Sequence, residues 1–248
     1  MIDLHTHILP RVDDGAESLE TALAMAHMAA EHGTEYLVVT PHVNIPSTNG
    51  NYWDKDMQRR YAAFRNAVRE AGIPLGIGYG AEVFYTDDVP ALLADGKLLP
   101  LAGSRCLLME FPFDIDPITV RNALSAVNAA GFVPIMAHPE RYRMTAYDPR
   151  AIYDWVQSGC IMQMNKDSLL GGFGATVFDT ARTLLQHGLV HCIASDAHSP
   201  AHRDPCLHEI RDYLTAVSGA RDAEILLREN PRRILKGLPP LSQKLVPF

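Results

Sequence analysis

The sequence predicts an α/β fold, a seven-stranded (β/α) barrel, and three observations point to it. Short apolar runs alternate with longer amphipathic segments along the whole chain. Glycines stand at the ends of the amphipathic segments, at Gly33, Gly72, Gly131, Gly159 and Gly188, where helix C-caps belong. No repeat, low-complexity stretch or linker interrupts the 248 residues, a length that one barrel domain fills, so a single domain over 1–248 is expected. Alternating strands and helices imply a parallel sheet with right-handed crossovers.

The strand candidates are residues 2–7, 36–40, 75–82, 106–111, 132–138, 160–165 and 190–196. Most are continuous apolar runs, as parallel strands buried on both faces require. Seven strands are one unit short of the common eight. Ser18 reads as an N-cap before Leu19-Glu20-Thr21-Ala22-Leu23, with Gly33 closing that helix. Helices are also expected over 54–71, 117–130, 149–157, 175–187 and 205–217, with one more helix and a Pro-rich end in the tail 221–248.

Composition narrows the function classes. A formal net charge of −7 argues against tight nucleic-acid binding, which rests on phosphate neutralisation by Lys and Arg. No apolar stretch approaches the roughly 20 residues needed to cross a bilayer. The N-terminus has neither a basic lead nor an apolar signal core, so a soluble, cytoplasmic protein without membrane insertion is expected. Cys106, Cys160, Cys192 and Cys206 show no CxxC spacing. None is followed six positions later by Arg, the spacing of a cysteine-based phosphate loop.

The chemistry lies at the strand ends. His5 and His7 end the first strand, with Asp13 and Asp14 in the loop after it. His42 follows the second strand, Glu82 ends the third, Glu110 the fourth and His138 the fifth, and Asp196 and His198 close the seventh. In a parallel barrel the C-terminal strand ends share one mouth. Each residue alone reads as a satisfied polar group. Together, buried acids crowded in one place would repel, and a cation relieves that. The nine candidates His5, His7, Asp14, His42, Glu82, Glu110, His138, Asp196 and His198 are too many for one ion, which implies two or three. Asp13 is an alternative to Asp14. Imidazole and carboxylate without thiolate suits zinc, manganese or iron. Four carboxylates against three divalent ions leave roughly +2 in formal charge, which attracts a phosphate dianion. Arg141 and Arg203 follow ligand positions closely and are expected to grip phosphate oxygens. Asn165 or Lys166 lines the pocket, or merely starts a turn. His27, His32, His187, His191, His202 and His208 receive no role.

These residues also carry a resemblance. The opening Met1-Ile2-Asp3-Leu4-His5-Thr6-His7-Ile8-Leu9-Pro10 and Asp13-Asp14-Gly15-Ala16 resemble the start of PHP-superfamily phosphohydrolases, and more narrowly the bacterial capsule and exopolysaccharide protein-tyrosine phosphatases. The likeness continues through Thr40-Pro41-His42, Gly80-Ala81-Glu82, His138-Pro139-Glu140-Arg141-Tyr142, the stretch 165–174 and Ser195-Asp196-Ala197-His198. The resemblance implies a distorted, TIM-like seven-stranded barrel and a trinuclear, manganese-dependent site. It implies hydrolysis of phosphotyrosine on the tail of a bacterial tyrosine kinase that controls polysaccharide export. By motif, His5, His7, Glu82 and Asp196 would hold one ion. Glu82, Glu110 and His138 would hold a second, and Asp14, His42 and His198 a third. The expected reaction is in-line attack on phosphorus by metal-activated hydroxide. The alternatives are a histidinol-phosphate phosphatase, a non-catalytic PHP module and a metal-dependent exonuclease.

Overall fold

The computed structural model describes residues 1–48, 50–241 and 244–248. Its strand segments are β1 (Ile2–Asp3), β2 (Tyr36–Val39), β3 (His42–Val43), β4 (Gly76–Tyr79), β5 (Glu82–Phe84), β6 (Cys106–Glu110), β7 (Val133–Ala137), β8 (Ile161–Asn165) and β9 (Cys192–Ala194). Its α-helices are α1 (Leu19–Glu31), α2 (Lys55–Glu70), α3 (Val89–Ala94), α4 (Pro117–Ala129), α5 (Arg143–Tyr147), α6 (Arg150–Gln157), α7 (Lys166–Leu169), α8 (Ala175–Gln186), α9 (His208–Ser218), α10 (Ala220–Glu224) and α11 (Asn230–Leu235). Among the described residues every strand pairing is parallel, in the orders β1-β2-β4 and β3-β5-β6-β7-β8-β9.

Nine segments fill seven expected positions because two expected strands are bent. The second breaks into β2 and β3 at Pro41, which has no N–H to give a ladder. The third breaks into β4 and β5 at Gly80, where a Cβ would lie 2.7 Å from the Leu101 side chain. The bends are tied together, since Gly80 N donates to Val39 O (2.9 Å) and Glu82 N to Pro41 O (3.1 Å). The first halves lie in one sheet and the second halves in the other, so the sheets run on into each other. At the remaining edges the continuation of β1 meets the continuation of β9. Asp196 N donates to His5 O (2.9 Å), His7 N to Ala197 O (2.8 Å), and Thr6 and Ala197 form a parallel bridge.

Leu108, Ile135, Ile161 and Cys192 pack with Leu4, Val38, Leu101 and Ile234 in an apolar layer. Two or four residues further along three of those strands, on the same side, stand Glu110, Gln163, Asn165 and Asp196. The opposite faces of β6, β7 and β8 bury Leu107, Met109, Met136 and Met162 with Val120, Ala123, Leu124 and Val127 of α4.

The N-caps follow the expected chemistry. Ser18 accepts from Thr21 N, Asp54 from Met57 N, and Asp116 from Ile118 N and Thr119 N, each worth about 1 kcal/mol. The short helices α3, α5 and α7 were not expected, and α9 starts at His208 rather than 205, because Asp204 Oδ1 accepts from Cys206 N (2.8 Å) and holds a turn there. The tail helix is a continuous run from Ala220 to Leu235 whose middle, Ile225–Glu229, is a π turn, placed just before Pro231, which cannot donate an i−4 bond. Among the described residues no helix is long and apolar enough to cross a membrane.

Asp3 holds the first and last strands together. It is fully buried, and its Oδ1 accepts from Ser195 N (3.1 Å) and His5 N (3.3 Å), while Oδ2 has no partner. Burial pushes its carboxyl up to about 6, against the pull of the bonds from Ser195. A carboxyl raised in the folded state favours folding at low pH, and that gain is lost as pH rises through about 6. Asp3→Asn cannot titrate. Relative to wild type it should therefore be more stable at pH 8 than at pH 5, by about 1.4 kcal/mol. Thermal unfolding of both proteins at the two pH values checks this, and an equal difference at both would refute it.

Candidate metal centre

The bends in the second and third strands set two central side chains side by side. His42 opens β3, Glu82 opens β5, and the two are register partners. They begin strand segments after a kink, where the sequence reading placed them after or at the end of unbroken strands. Glu110 ends β6, His138 follows β7, and Asp196 and His198 follow β9. His138 and Asp196 have left-handed backbones, with φ of 35° and 53°. Such strain in non-glycine residues is held only where the surroundings enforce it.

His5 and His7 direct their Nε2 atoms at each other, 3.1 Å apart. The same two atoms lie 3.2 and 3.3 Å from Glu82 Oε2 and 3.3 and 3.2 Å from Asp196 Oδ1. Both Nδ1 atoms are engaged elsewhere: His5 Nδ1 donates to Gln163 Oε1 (2.8 Å) and His7 Nδ1 to Asp13 Oδ2 (2.7 Å). In the neutral tautomer the lone pairs of both Nε2 atoms therefore face two carboxylate oxygens. Asp196 Oδ1 makes no hydrogen bond although it is buried. Four atoms that can each offer a lone pair, two of them once the imidazoles are neutral, converge on one point and make a cation cradle. Spacings of 3.1–3.3 Å suit neighbouring donors on one ion with bonds of about 2.0–2.2 Å.

The cradle continues outward through Glu82. Its Oε2 is 3.0 Å from His42 Nδ1, and its Oε1 is 3.0 Å from His138 Nε2. Glu110 lies 3.4 Å from His42 Nδ1 and 3.6 Å from His138 Nε2. Asp14 Oδ1 stands 3.6 Å from His42 Nε2 and 3.4 Å from His198 Nε2. His42 Nδ1 and His198 Nε2 are buried without hydrogen bonds. All nine expected side chains thus meet in one chain of three clusters. Asp14, two-thirds exposed at 67%, occupies the rim. Asp13 instead supports the cluster, accepting from His7 Nδ1, His42 N (2.9 Å) and Gly15 N (3.1 Å). That loop turns back on His7 so closely that a Cβ on Gly15 would lie 1.9 Å from His7 O.

Charge compensation governs the electrostatics. Burial opposes charge on His5, His7 and His42, yet the carboxylates beside them outweigh it and raise all three. Burial also opposes charge on Glu82 and Asp196, and the imidazoles hold both well below the usual carboxylate range. Burial wins at three other groups: it lowers His138 and His198, and, with repulsion from Glu82, it pushes Glu110 up to about 8. The donor set calls for positive charge at its centre, which divalent ions supply.

The two arginines converge on the far oxygen of Asp196. Arg203 pairs with Oδ2, and Arg141 Nη1 is 3.4 Å from it. Asn165 Nδ2 donates to that oxygen at 2.6 Å, and Gln163 Nε2 donates to Asn165 Oδ1 at 3.0 Å. A hydrogen-bonded path therefore links Asp196 through Asn165 and Gln163 to His5. Asn165 is thus turned into the site, whereas Lys166 pairs with Asp167 (2.7 Å) and Asp204 (3.5 Å). Glu140 Oε1 accepts from Asn165 N (2.9 Å) and Ser168 Oγ (2.6 Å), which pins the end of β8. Two aromatics at this mouth were not anticipated. The Arg141 guanidinium lies 4.7 Å from the Phe113 ring and 4.5 Å from the Phe173 ring, and Phe173 also reaches Arg203 at 5.9 Å. Phe113 is 42% exposed, which leaves part of its ring open at the mouth.

The profile of the CpsB/CapC family, described as capsular polysaccharide synthesis, matches residues 1–236. The tyrosine-protein phosphatase YwqE of Bacillus subtilis is 33% identical over 238 residues, covering 95% of this chain and 92% of YwqE. The tyrosine-protein phosphatase CpsB of Streptococcus pneumoniae is 30% identical over 242 residues, covering 95% and 98%. A chain from the crystal structures of YwqE and CpsB, metal-dependent tyrosine phosphatases, matches with TM-score 0.92 at 30% identity, covering 100% and 99%. The phosphotriesterase from Mycobacterium tuberculosis matches at TM-score 0.56 and 13% identity, covering 95% of this chain and 93% of its own, a likeness of fold alone.

The shared position of Glu82 generates a prediction. Gently purified protein should carry two to three divalent ions per chain by elemental analysis. Glu82→Ala should lose at least one ion more than His138→Ala, because Glu82 faces four imidazoles and His138 faces only carboxylates of one cluster. Wild-type metal content in Glu82→Ala would sink the assignment.

Proposed function

The chain belongs to the CpsB/CapC family of capsular polysaccharide synthesis, and from that premise we propose that it is a metal-dependent protein-tyrosine phosphatase. The observation that carries the reading is the meeting of a carboxylate–imidazole cation cradle with two arginines and two aromatic rings at one mouth. His5, His7, Glu82 and Asp196 would hold one ion, Glu82, Glu110 and His138 a second, and Asp14, His42 and His198 a third. His42 also faces Glu110 and so borders two of these sets. Manganese is the expected metal, with iron or zinc as other choices for the same donors. When bound, such ions would acidify a coordinated water and offset phosphate charge.

The chain's own residues do the rest. Arg141 and Arg203 bind the non-bridging phosphate oxygens, where forked, charge-assisted bonds are strong. Asn165 and Gln163 keep Asp196 and His5 oriented while the arginines move between Asp196 and substrate. The Phe113 ring, 6.1 Å from that of His138 and partly open, offers a face to an aryl group. A tyrosine leaves as a phenolate of pKa about 10 and needs little protonation, so no strong dedicated acid is required. The substrate is taken as the phosphotyrosine tail of a bacterial tyrosine kinase that regulates polysaccharide export. We place the protein in the cytoplasm, which suits its four free thiols.

Two substitutions separate phosphate grip from aryl recognition. Arg141→Ala should lower kcat/KM by roughly 10²–10³ on every phosphomonoester without emptying the metal site. Phe113→Ala should lower it by about 3–10-fold on a phosphotyrosine peptide and leave a phosphoserine peptide almost unaffected. Steady-state kinetics at saturating manganese, with histidinol phosphate alongside, reads both. A tenfold preference for histidinol phosphate, about 1.4 kcal/mol in the barrier, would overturn the substrate class.

A further inference from the structure

We propose that His32, Cys206 and His208 form a separate binding site for one thiophilic divalent ion of the zinc class, linking the end of α1 to the start of α9. The three side chains offer one donor atom each within 4.8 Å of one another, and none belongs to the carboxylate-rich centre.

The imidazoles are arranged as ligands. His32 caps α1, and its Nδ1–H donates to Met28 O at 2.8 Å. That bond fixes the tautomer and leaves Nε2 with the lone pair, as in imidazoles that bind metal through one nitrogen and a carbonyl through the other. The ring of His208 lies over that of His32, with centroids 4.5 Å apart and planes at 26°. His208 Nδ1 is buried and has no hydrogen-bond partner. A buried ring nitrogen normally has one, and a shared cation would provide it.

The thiol completes the set. Cys206 is a free cysteine held by its backbone, since Cys206 N donates to Asp204 Oδ1 (2.8 Å), and Asp204 in turn lies 3.5 Å from Lys166 Nζ. Burial, then the Asp204 carboxylate, pushes the thiol up to about 12, so it carries its proton at neutral pH. An entering ion would displace that proton, forming the metal–thiolate bond and releasing H⁺ to solvent. The same carboxylate that disfavours thiolate favours the incoming cation.

The chemistry sorts metals between the two places. One thiolate and two imidazoles suit a tetrahedral ion with its fourth position left to water, and favour zinc or cobalt over manganese or magnesium. The catalytic cradle has no sulfur, and the other three cysteines are buried away from imidazole clusters among the described residues. A plain packing role for the stacked rings and thiol predicts no such ion.

Cobalt(II) distinguishes the two, because only a thiolate ligand gives a sulfur-to-cobalt charge-transfer band in the near ultraviolet. Full-length, chelator-stripped protein reloaded with manganese is titrated with cobalt(II). The expected result is a charge-transfer band that saturates at one ion per chain and is bleached by zinc. Cys206→Ser should abolish it while retaining the manganese-supported hydrolysis, and His32→Gln or His208→Gln should weaken cobalt binding at least about tenfold. Absence of the band in wild type, its persistence in Cys206→Ser, or binding that neither histidine variant weakens would overturn the proposal. Circular dichroism on each variant separates loss of a ligand from loss of the fold.

Discussion

One buried carboxylate organises the molecule. Glu82 is touched by His5, His7 and His42 on one oxygen and by His138 on the other. An ionised group at that depth is tolerable only where positive charge surrounds it. The sheet is shaped to meet the demand. The bends at Pro41 and Gly80 bring His42 and Glu82 into register, and the bonds between the first and last strands bring His5, His7 and Asp196 around to the same point. A straight strand through either bend would hold its ladder at the expense of this convergence.

The groups behind the cradle matter as much as those that line it. Asp13 fixes the His7 ring and the His42 backbone with one oxygen, and Gln163 fixes His5. Glu140, itself pushed up to about 7 by burial, fastens the end of β8, so that Asn165 reaches Asp196. These supports come from the loop after β1, from β8 and from the turn after β7. Orientation of the donors is therefore a property of the whole rim rather than of any single loop.

Much of this was legible in the sequence, and the reasons are physical. Buried parallel strands leave continuous apolar runs, so the seven strand positions stood out, and chemistry at their ends followed from the geometry of parallel barrels. The bends were hidden because an apolar run looks the same whether straight or broken, although Pro41 and Gly80 were visible. Asp13 and Asp14 could not be separated, since adjacent residues differ only in which way the loop turns, and Gly15 decides that through its contact with His7. Phe113 and Phe173 carry no periodicity and no charge, and their value comes only from where Arg141 lies. Asn165 and Lys166 stood equal in the sequence, and the change from β8 to α7 between them sends them to different partners. The late start of α9 depended on a side-chain bond from Asp204 that no helix propensity anticipates.

The pairing of both arginines with Asp196 bears on turnover. A guanidinium that faces solvent-free space alone would gain the full energy of any anion that entered, orthophosphate included. Here each guanidinium already has a carboxylate within reach, so an arriving anion gains only the difference between two partners. The discount applies equally to substrate and product, but the substrate can recover it through its ring and peptide, and the released inorganic ion cannot. If the two arginines hold phosphate as proposed, their pairing with Asp196 would weaken the hold on the released ion more than the hold on the substrate.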